Sequence, residues 1–312
     1  MPLFSVIIPL YNKSKHIEAT LKSVTIQTFT DFEVIVVNDV STDDSLMIAQ
    51  TVKDDRIRII NHSVNKGLSA SRNTGIQNAK SDFIAFLDAD DLWKPDFLRT
   101  IHQLLIQYPD TGIFATKYEE VHPKNIVLPI GVTGTQLKEN QSYLLDFFST
   151  NMGKLAVSFS SLAMRKDILN DVGTFDEEIS YAEDIDFYIR AFYEHKLAYL
   201  NTSLACYMIY DNHQMSLAGL KNKTIPNFDK YEYMADNRPE IKRFLDFYRY
   251  IMAKQYKLDT NRLGYIKMLN GIDLSSLNYK QITLLYAPAF ALKLIKKIKA
   301  LLLRKGINPT TY

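Results

Sequence analysis

The sequence predicts an α/β fold: a mainly parallel, Rossmann-like sheet flanked by helices, with a helical extension at the C-terminus. Three observations predict it. Through the first hundred residues, short and nearly continuous apolar runs alternate with amphipathic stretches, the pattern of strands covered on both faces and joined by crossover helices. Hydrophobic residues make up 46% of the 312 and charged residues 23%, enough to bury a sizeable core. After about Leu220 the chain becomes helical in pattern and rich in lysine.

Taken in order, FSVIIPL (4–10), FEVIVVN (32–38), RIRII (56–60) and DFIAFLD (82–88) are predicted strands. Residues 14–25 carry Ile17, Leu21 and Val24 at helical spacing, and residues 41–52 open on Ser/Thr/Asp and carry Leu46 and Ile48, so both are predicted helices. Signals weaken from about Gly131. VSFSSLAMRKDIL (157–169) then predicts a strand running into a helix, EDIDFYIRAFYEH (183–195) a helix, and LAYLNTSLACYMIY (197–210) one or two strands. The stretch 227–255 predicts two helices broken near Pro239. These elements divide the chain into a sheet domain over 1–220, with halves of about 1–115 and 116–220, and a helical extension over 221–312.

Composition narrows the function. With 37 Lys+Arg against 35 Asp+Glu the net charge is +2, too little to hold a phosphate polymer, so no nucleic-acid partner is expected. The single cysteine, Cys206, forms no internal disulfide, and no Cys/His cluster has zinc spacing. No apolar run approaches a membrane span, and the N-terminus has no signal core, so a cytoplasmic protein is expected. No GxGxxG follows the first strand, which argues against NAD.

Ligands of such sheets bind at the carboxyl ends of the strands. The sharpest motif there is FIAFLDADDLW (83–93), in which Asp88 and Asp90 share one face if the chain stays extended. Two carboxylates at a strand end suit Mg²⁺ or Mn²⁺ with phosphate oxygens; a polar turn capping the next helix fits the same residues. Asp39 ends the second strand and brings another carboxylate to that edge. NKGLSASRNTGI (65–76) joins a glycine turn to Arg72 and Asn73, side chains suited to a nucleotide's polar groups, or simply leads into a capped helix. Tyr11, in PLYN, is placed to stack on a flat base or to cover the core.

Together, VIIPLYN (6–12), VIVVNDVSTDDS (34–45), NKGLSASRNTGI (65–76) and FLDADD (86–91) resemble glycosyltransferase family 2 in order and spacing, over about residues 3–216. The resemblance implies a GT-A fold and an inverting, metal-assisted transfer of a hexose from a nucleotide-diphosphate sugar, a UDP-sugar in particular, to a glycan or lipid-linked acceptor. It implies Pro9, Tyr11 and Asp39 lining the base pocket, Asp39 accepting from the uracil imide, and Arg72 nearby. Asp88 and Asp90 become the DxD pair, Asp90 on the metal and Asp88 toward the ribose. Asn38 stands where many relatives have Asp. Residues 160–190 resemble the family's acceptor stretch, whose Glu183-Asp184 pair makes Asp184 the base; a plain acidic first turn of a helix fits the same three acids, Glu183, Asp184 and Asp186. A Tyr-Arg-x-His sequence usual in relatives is altered to YMIYDNHQMS, leaving His213 as candidate metal ligand through a shifted loop. The family's settings imply bacterial surface polysaccharide or lipopolysaccharide assembly. A nucleotide-sugar-binding protein that has lost catalysis is the competing reading; a haloacid-dehalogenase-like hydrolase and a receiver module fit the motif order poorly.

From Ser275 onward there is no acidic residue, and on a helical projection Phe290, Leu294, Ile295, Ile298, Leu301 and Leu302 share one arc, with Lys293, Lys296, Lys297 and Arg304 on another. Two readings follow: peripheral contact with the anionic inner face of the cytoplasmic membrane, or packing on the sheet domain with a solvated lysine face.

Overall fold

The computed structural model describes residues 1–132, 136–151, 153–210 and 219–304. Its elements run β1 (Phe4–Leu10), α1 (Ile17–Thr25), β2 (Phe32–Asn38), α2 (Ser45–Thr51), β3 (Ile57–Asn61), α3 (Leu68–Asn78), β4 (Phe83–Phe86), β5 (Leu92–Trp93), α4 (Phe97–Gln107), β6 (Ile113–His122) and β7 (Ile126–Ile130). There follow β8 (Ser142–Leu145), α5 (Phe147–Thr150), β9 (Leu162–Arg165), α6 (Leu169–Val172), α7 (Glu183–Glu194), β10 (Leu197–Met208), α8 (Pro239–Leu258), α9 (Arg262–Asn270), α10 (Tyr279–Tyr286) and α11 (Ala289–Arg304).

One mixed sheet runs β3-β2-β1-β4-β9-β6-β10-β5, with β7 added on β6 and β8 on β10. The expected parallel pairing holds for β3, β2, β1 and β4. Beyond them β9 is antiparallel to both β4 and β6, and β10 is parallel to β6. Reversing one strand between β4 and β6 restores direction, so β1, β2, β4, β6 and β10 all deliver their carboxyl ends to one edge. The central strands are apolar on both sides because each side has its own core: Phe4, Val6 and Ile8 of β1 face one cluster, while Ile7 joins Ile35 and Val37 in the other.

The second core extends without a break into the C-terminal helices. Phe147 of α5 stacks on Phe192 of α7 at 4.0 Å, and Phe148 meets Phe244 of α8 at 5.2 Å. Pro239 sits in the first turn of α8, where its missing N–H costs nothing, and the segment before it is a 3₁₀ helix, Phe228–Ala235. The arc expected on α11 divides in two. Leu292 is buried and Ile295 half-buried, whereas Phe290 (74% exposed), Leu294 (57%), Ile298 (47%) and Leu301 (58%) face outward. Among the described residues no helix is long and apolar enough to cross a membrane.

Candidate active site

At the end of β2, the Asp39 carboxylate accepts from His62 Nδ1 at 2.7 Å, from the Lys66 amide at 2.8 Å and from the Gly67 amide at 2.7 Å. Gly67 lies at φ +90°, a left-handed conformation that glycine adopts without penalty, and precedes α3, so the carboxylate also sits at a helix N-terminus. A carboxylate has about four lone-pair sites, so roughly one remains for an outside donor. Asn38 donates to Asn61 Oδ1 at 2.9 Å and accepts from the Ser41 amide. Between them and the loop stands Val40 at φ 59°, a strained conformation for a β-branched residue.

The DxD segment is built differently from the extended arrangement expected. β4 ends at Phe86, and the Asp91 amide bonds the Asp88 carbonyl at 3.0 Å, so Asp88 to Asp91 form a tight turn. Neither acid caps the next helix, because β5 intervenes and α4 begins only after Asp96. Asp88 Oδ1 takes Arg72 at 3.0 Å, and Asp90 Oδ2 is ion-paired with Lys13. Asp91 is buried: Ser160 Oγ donates to it at 2.5 Å and the Met208 amide at 2.9 Å, tying the turn to the 159–161 segment and to β10. Burial, then Asp90 and Asp88, push the Asp91 carboxyl well above the carboxylate range.

Arg72 and Asn73, read from the sequence either as suited to a nucleotide's polar groups or as part of a turn into a helix, are buried. Arg72 donates to Asp88 through one nitrogen and to Glu183 through another, each at 3.0 Å, beneath the rings of Phe159 and Phe175. Its remaining nitrogen, Nε, is buried with no hydrogen-bond partner among the described residues. Asn73 donates to the Phe175 carbonyl and accepts from the Phe175 amide, at 2.9 and 3.0 Å. Thus α3 clamps the two halves of the sheet domain together.

Glu183, Asp184 and Asp186 do form the acidic first turn of α7, but their fates diverge. Asp186 is fully buried and bonded by Arg190, Lys230 and Tyr231, a structural tie to the 3₁₀ segment. Glu183 holds Arg72. Asp184 is left half-buried, its carboxyl raised to about 7 by burial and by Glu183, with Arg72 opposing and Asp88 adding to the rise. The turn is forced by Ala182 at φ 60°, a left-handed residue that starts α7.

Pro9 is buried in β1, and Tyr11, just past its end, is 47% exposed. Tyr210 donates to the Asp90 carbonyl at 3.2 Å and lies 3.9 Å from the His16 ring, so that Lys13, His16 and Tyr210 surround Asp90. His213 lies outside the described residues. Sequence reasoning missed Lys13, His16, His62 and Asp91; position alone, each beside a strand end at the same edge, was the available signal.

Among the described residues no group of three His, Cys, Asp or Glu side chains is placed to hold a metal ion. The donor set nevertheless fits a hard cation. Asp88 and Asp90 each keep one oxygen free of their Arg72 and Lys13 contacts, and both lie close enough to Asp91 to add to the rise that burial gives its carboxyl. Mg²⁺ and Mn²⁺ commonly take one or two carboxylates and complete their shell with phosphate and water oxygens.

The sequence model described as Glycosyl transferase family 2 matches residues 5–173, more than half of the chain. The chain belongs to glycosyl transferase family 2. It is 32% identical over 217 residues to the putative glycosyltransferase EpsH of Bacillus subtilis, covering 67% of this chain and 61% of the relative. It is 29% identical over 226 residues to the GalNAc(5)-diNAcBac-PP-undecaprenol beta-1,3-glucosyltransferase of Campylobacter jejuni, covering 71% of this chain and 70% of that one. The first four curated relatives are matched over only 20% to 61% of their own lengths. In fold the chain is similar to S. aureus TarS residues 1–349, crystallised with UDP-GlcNAc: 98% of this chain and 92% of that chain superpose with a TM-score of 0.66 at 20% identity. The fold is therefore mixed α/β and similar to the GT-A fold of TarS.

Proposed function

We propose that the protein is an inverting glycosyltransferase that moves a hexose from a nucleotide-diphosphate sugar, a UDP-sugar, to a hydroxyl of a glycan or lipid-linked glycan. The observation that carries this reading is Arg72, which couples Asp88 of the donor-side turn to Glu183, directly beside Asp184. Asp184 takes the proton of the acceptor hydroxyl while that oxygen attacks the anomeric carbon; the bond to the diphosphate breaks with its electron pair, and configuration inverts. A carboxyl raised to about 7 is matched to this task, since it is basic enough to accept a proton and largely ionised at slightly alkaline pH.

Asp39, Pro9 and Tyr11 are assigned to the base and Asp88 to the ribose side. Asp90 would hold Mg²⁺ or Mn²⁺, with Asp88 adjacent, and a cation bound there would neutralise charge growing on the leaving diphosphate. Lys13, which pairs with Asp90, contributes positive charge to the same wall. The donor class is supported by TarS, crystallised with UDP-GlcNAc and with UDP, and the acceptor class by the undecaprenol-linked substrate in the name of the Campylobacter relative. The outward apolar stripe of α11 beside exposed Lys293, Lys296 and Lys297 supports peripheral contact with an anionic membrane face; co-sedimentation with anionic liposomes should weaken when the chain ends near Tyr286.

Thermal-shift titration with UDP and UDP-sugars, with and without Mn²⁺, tests the assignment. Asp90→Ala should lose the manganese-dependent part of the shift, and Asp184→Ala should keep binding while losing transfer. Metal-dependent binding without any transfer by the wild type would favour the sugar-binding alternative.

A further inference from the structure

Among the described residues, Asp184 accepts one hydrogen bond, from its own neighbour in the chain: the Ile185 amide donates to Oδ1 at 2.9 Å. Its aim is therefore set by the turn that carries it, and that turn does not keep its shape unaided. Ala182, which opens α7, lies at φ 60° and ψ 34°, left-handed values that residues with a Cβ rarely adopt, and its side chain caps nothing. Strain of this kind persists where surrounding contacts over-determine the backbone.

Both flanks of the turn are held by residues of the C-terminal extension. Before it, the Ser180 and Tyr181 amides donate to the Thr224 carbonyl at 3.0 and 3.1 Å, and the Thr224 amide donates to Ser180 Oγ at 3.0 Å. After it, the Tyr231 hydroxyl donates to Oδ1 of buried Asp186 at 2.5 Å, with the Lys230 ammonium 3.2 Å from the same oxygen, while Arg190 fills Oδ2. A carboxylate this deep is tolerable only with such donors in place, so Asp186 ties the helix to whatever carries them. The carrier is itself fixed: Arg249 of α8, 1% exposed, pairs with Asp229 at 2.8 Å and Asp246 at 3.1 Å, and Lys242 pairs with Glu232 at 3.1 Å. Residue 184 thus stands between two neighbours pinned from different directions, Glu183 by Arg72 of α3 and Asp186 by the extension.

We propose that Thr224, Lys230 and Tyr231 are positioning residues for Asp184: the C-terminal extension completes the transfer site by locking the left-handed turn before α7. The proposal rests on the reading of Asp184 as the base. Donor binding makes no use of this lock, so loosening it costs turnover and leaves the grip on UDP intact.

The test uses the full-length protein and its Tyr231→Phe, Lys230→Met and double variants, well below their unfolding midpoints. UDP release from a panel of UDP-hexoses is followed with Mn²⁺, water serving as acceptor: its oxygen displaces UDP while Asp184 takes its proton. Each single variant should lower kcat about tenfold, the scale of a slightly misplaced catalytic group, with donor KM and UDP Kd within about twofold of wild type. Hydrogen exchange at the 183–186 amides should quicken by a similar factor. Ala182→Gly, which adopts the left-handed turn freely, should return most of the lost kcat to Tyr231→Phe; a role in global stability alone predicts no such rescue. Unchanged kcat or unchanged exchange in the double variant would overturn the proposal, as would a fall in kcat matched by equal losses in donor KM and UDP Kd. Tyr231→Phe keeps the buried ring, so it decides the matter even if Lys230→Met fails to fold. Asp184→Ala separates the two readings. Full turnover in that variant, or none by the wild type, would overturn the assignment of the base and this inference with it, whereas turnover lost there but intact in the double variant would overturn only the lock.

Discussion

At the end of β2 one carboxylate, Asp39, is met by three donors from the surrounding chain; at the end of β4, Asp88, Asp90 and Asp91, with Glu183 and Asp184 across the cleft, share Arg72 and Lys13 as ion-pair partners. The first corner is completed by folding: its charge is consumed in fixing the loop that opens α3. At the second, burial first and neighbouring acids after it raise the carboxyls of Asp91 and Asp184. Two acidic motifs that look alike as text thus sit in different surroundings, one bonded by backbone amides and a histidine and the other packed acid against acid and partly buried.

The comparison is broken most directly at Asp184. Asp184→Asn should cut transfer by about 10²–10⁴-fold with little change in UDP affinity, measured by initial rates and by titration. The wild-type rate should rise with pH through about 7, and the variant's residual rate should lose that limb. Stability has the opposite sign: a carboxyl raised in the folded state opposes folding once ionised, so the gain in Tm from Asp184→Asn should be larger at pH 8 than at pH 4.

Next in size is Arg72→Ala. Removing the buried partner of Asp88 and Glu183 should cost about 3–5 kcal/mol in urea unfolding and reduce transfer as well. At the other corner, Asp39→Ala orphans two amides and His62 Nδ1 and should cost about 2 kcal/mol, together with weaker UDP binding. The smallest effect is expected at Val40→Gly: relief of a left-handed β-branched residue, less the extra chain entropy of glycine, should raise stability by about 1 kcal/mol. Were Arg72→Ala no more costly than Asp39→Ala, the picture of a charged corner held by one guanidinium would be wrong.

Much of the first half was legible because its signals are local. β1 and β2 coincide with the predicted strands, and β3 and β4 fall within a few residues, since continuous β-branched runs have few alternatives. β9 falls within the strand predicted in 157–169, but its reversed direction and the added strands β7 and β8 were not legible, because pairing is decided by partners distant in sequence. The same limit applies to the site. Asp39, Asp88, Asp90 and Asp184 could be singled out one at a time, but the bond from Arg72 to Glu183 spans 111 positions, and that of Lys13 to Asp90 spans 77. Alternation along an extended strand was the wrong geometry for Asp88 and Asp90, because a turn had already replaced the strand. On α11, helical periodicity grouped the apolar residues correctly but could not say which of them packs inward.

Pro9 has a consequence for the cleft as a surface. Ile7 bonds toward β4 through the Leu87 amide, so by alternation Pro9 faces that same side, beyond the point where β4 has turned away. Any other amino acid there would present a backbone N–H on that side, and proline presents none. The ring therefore leaves the edge of β1 just before Tyr11 without a donor that a partner would have to satisfy.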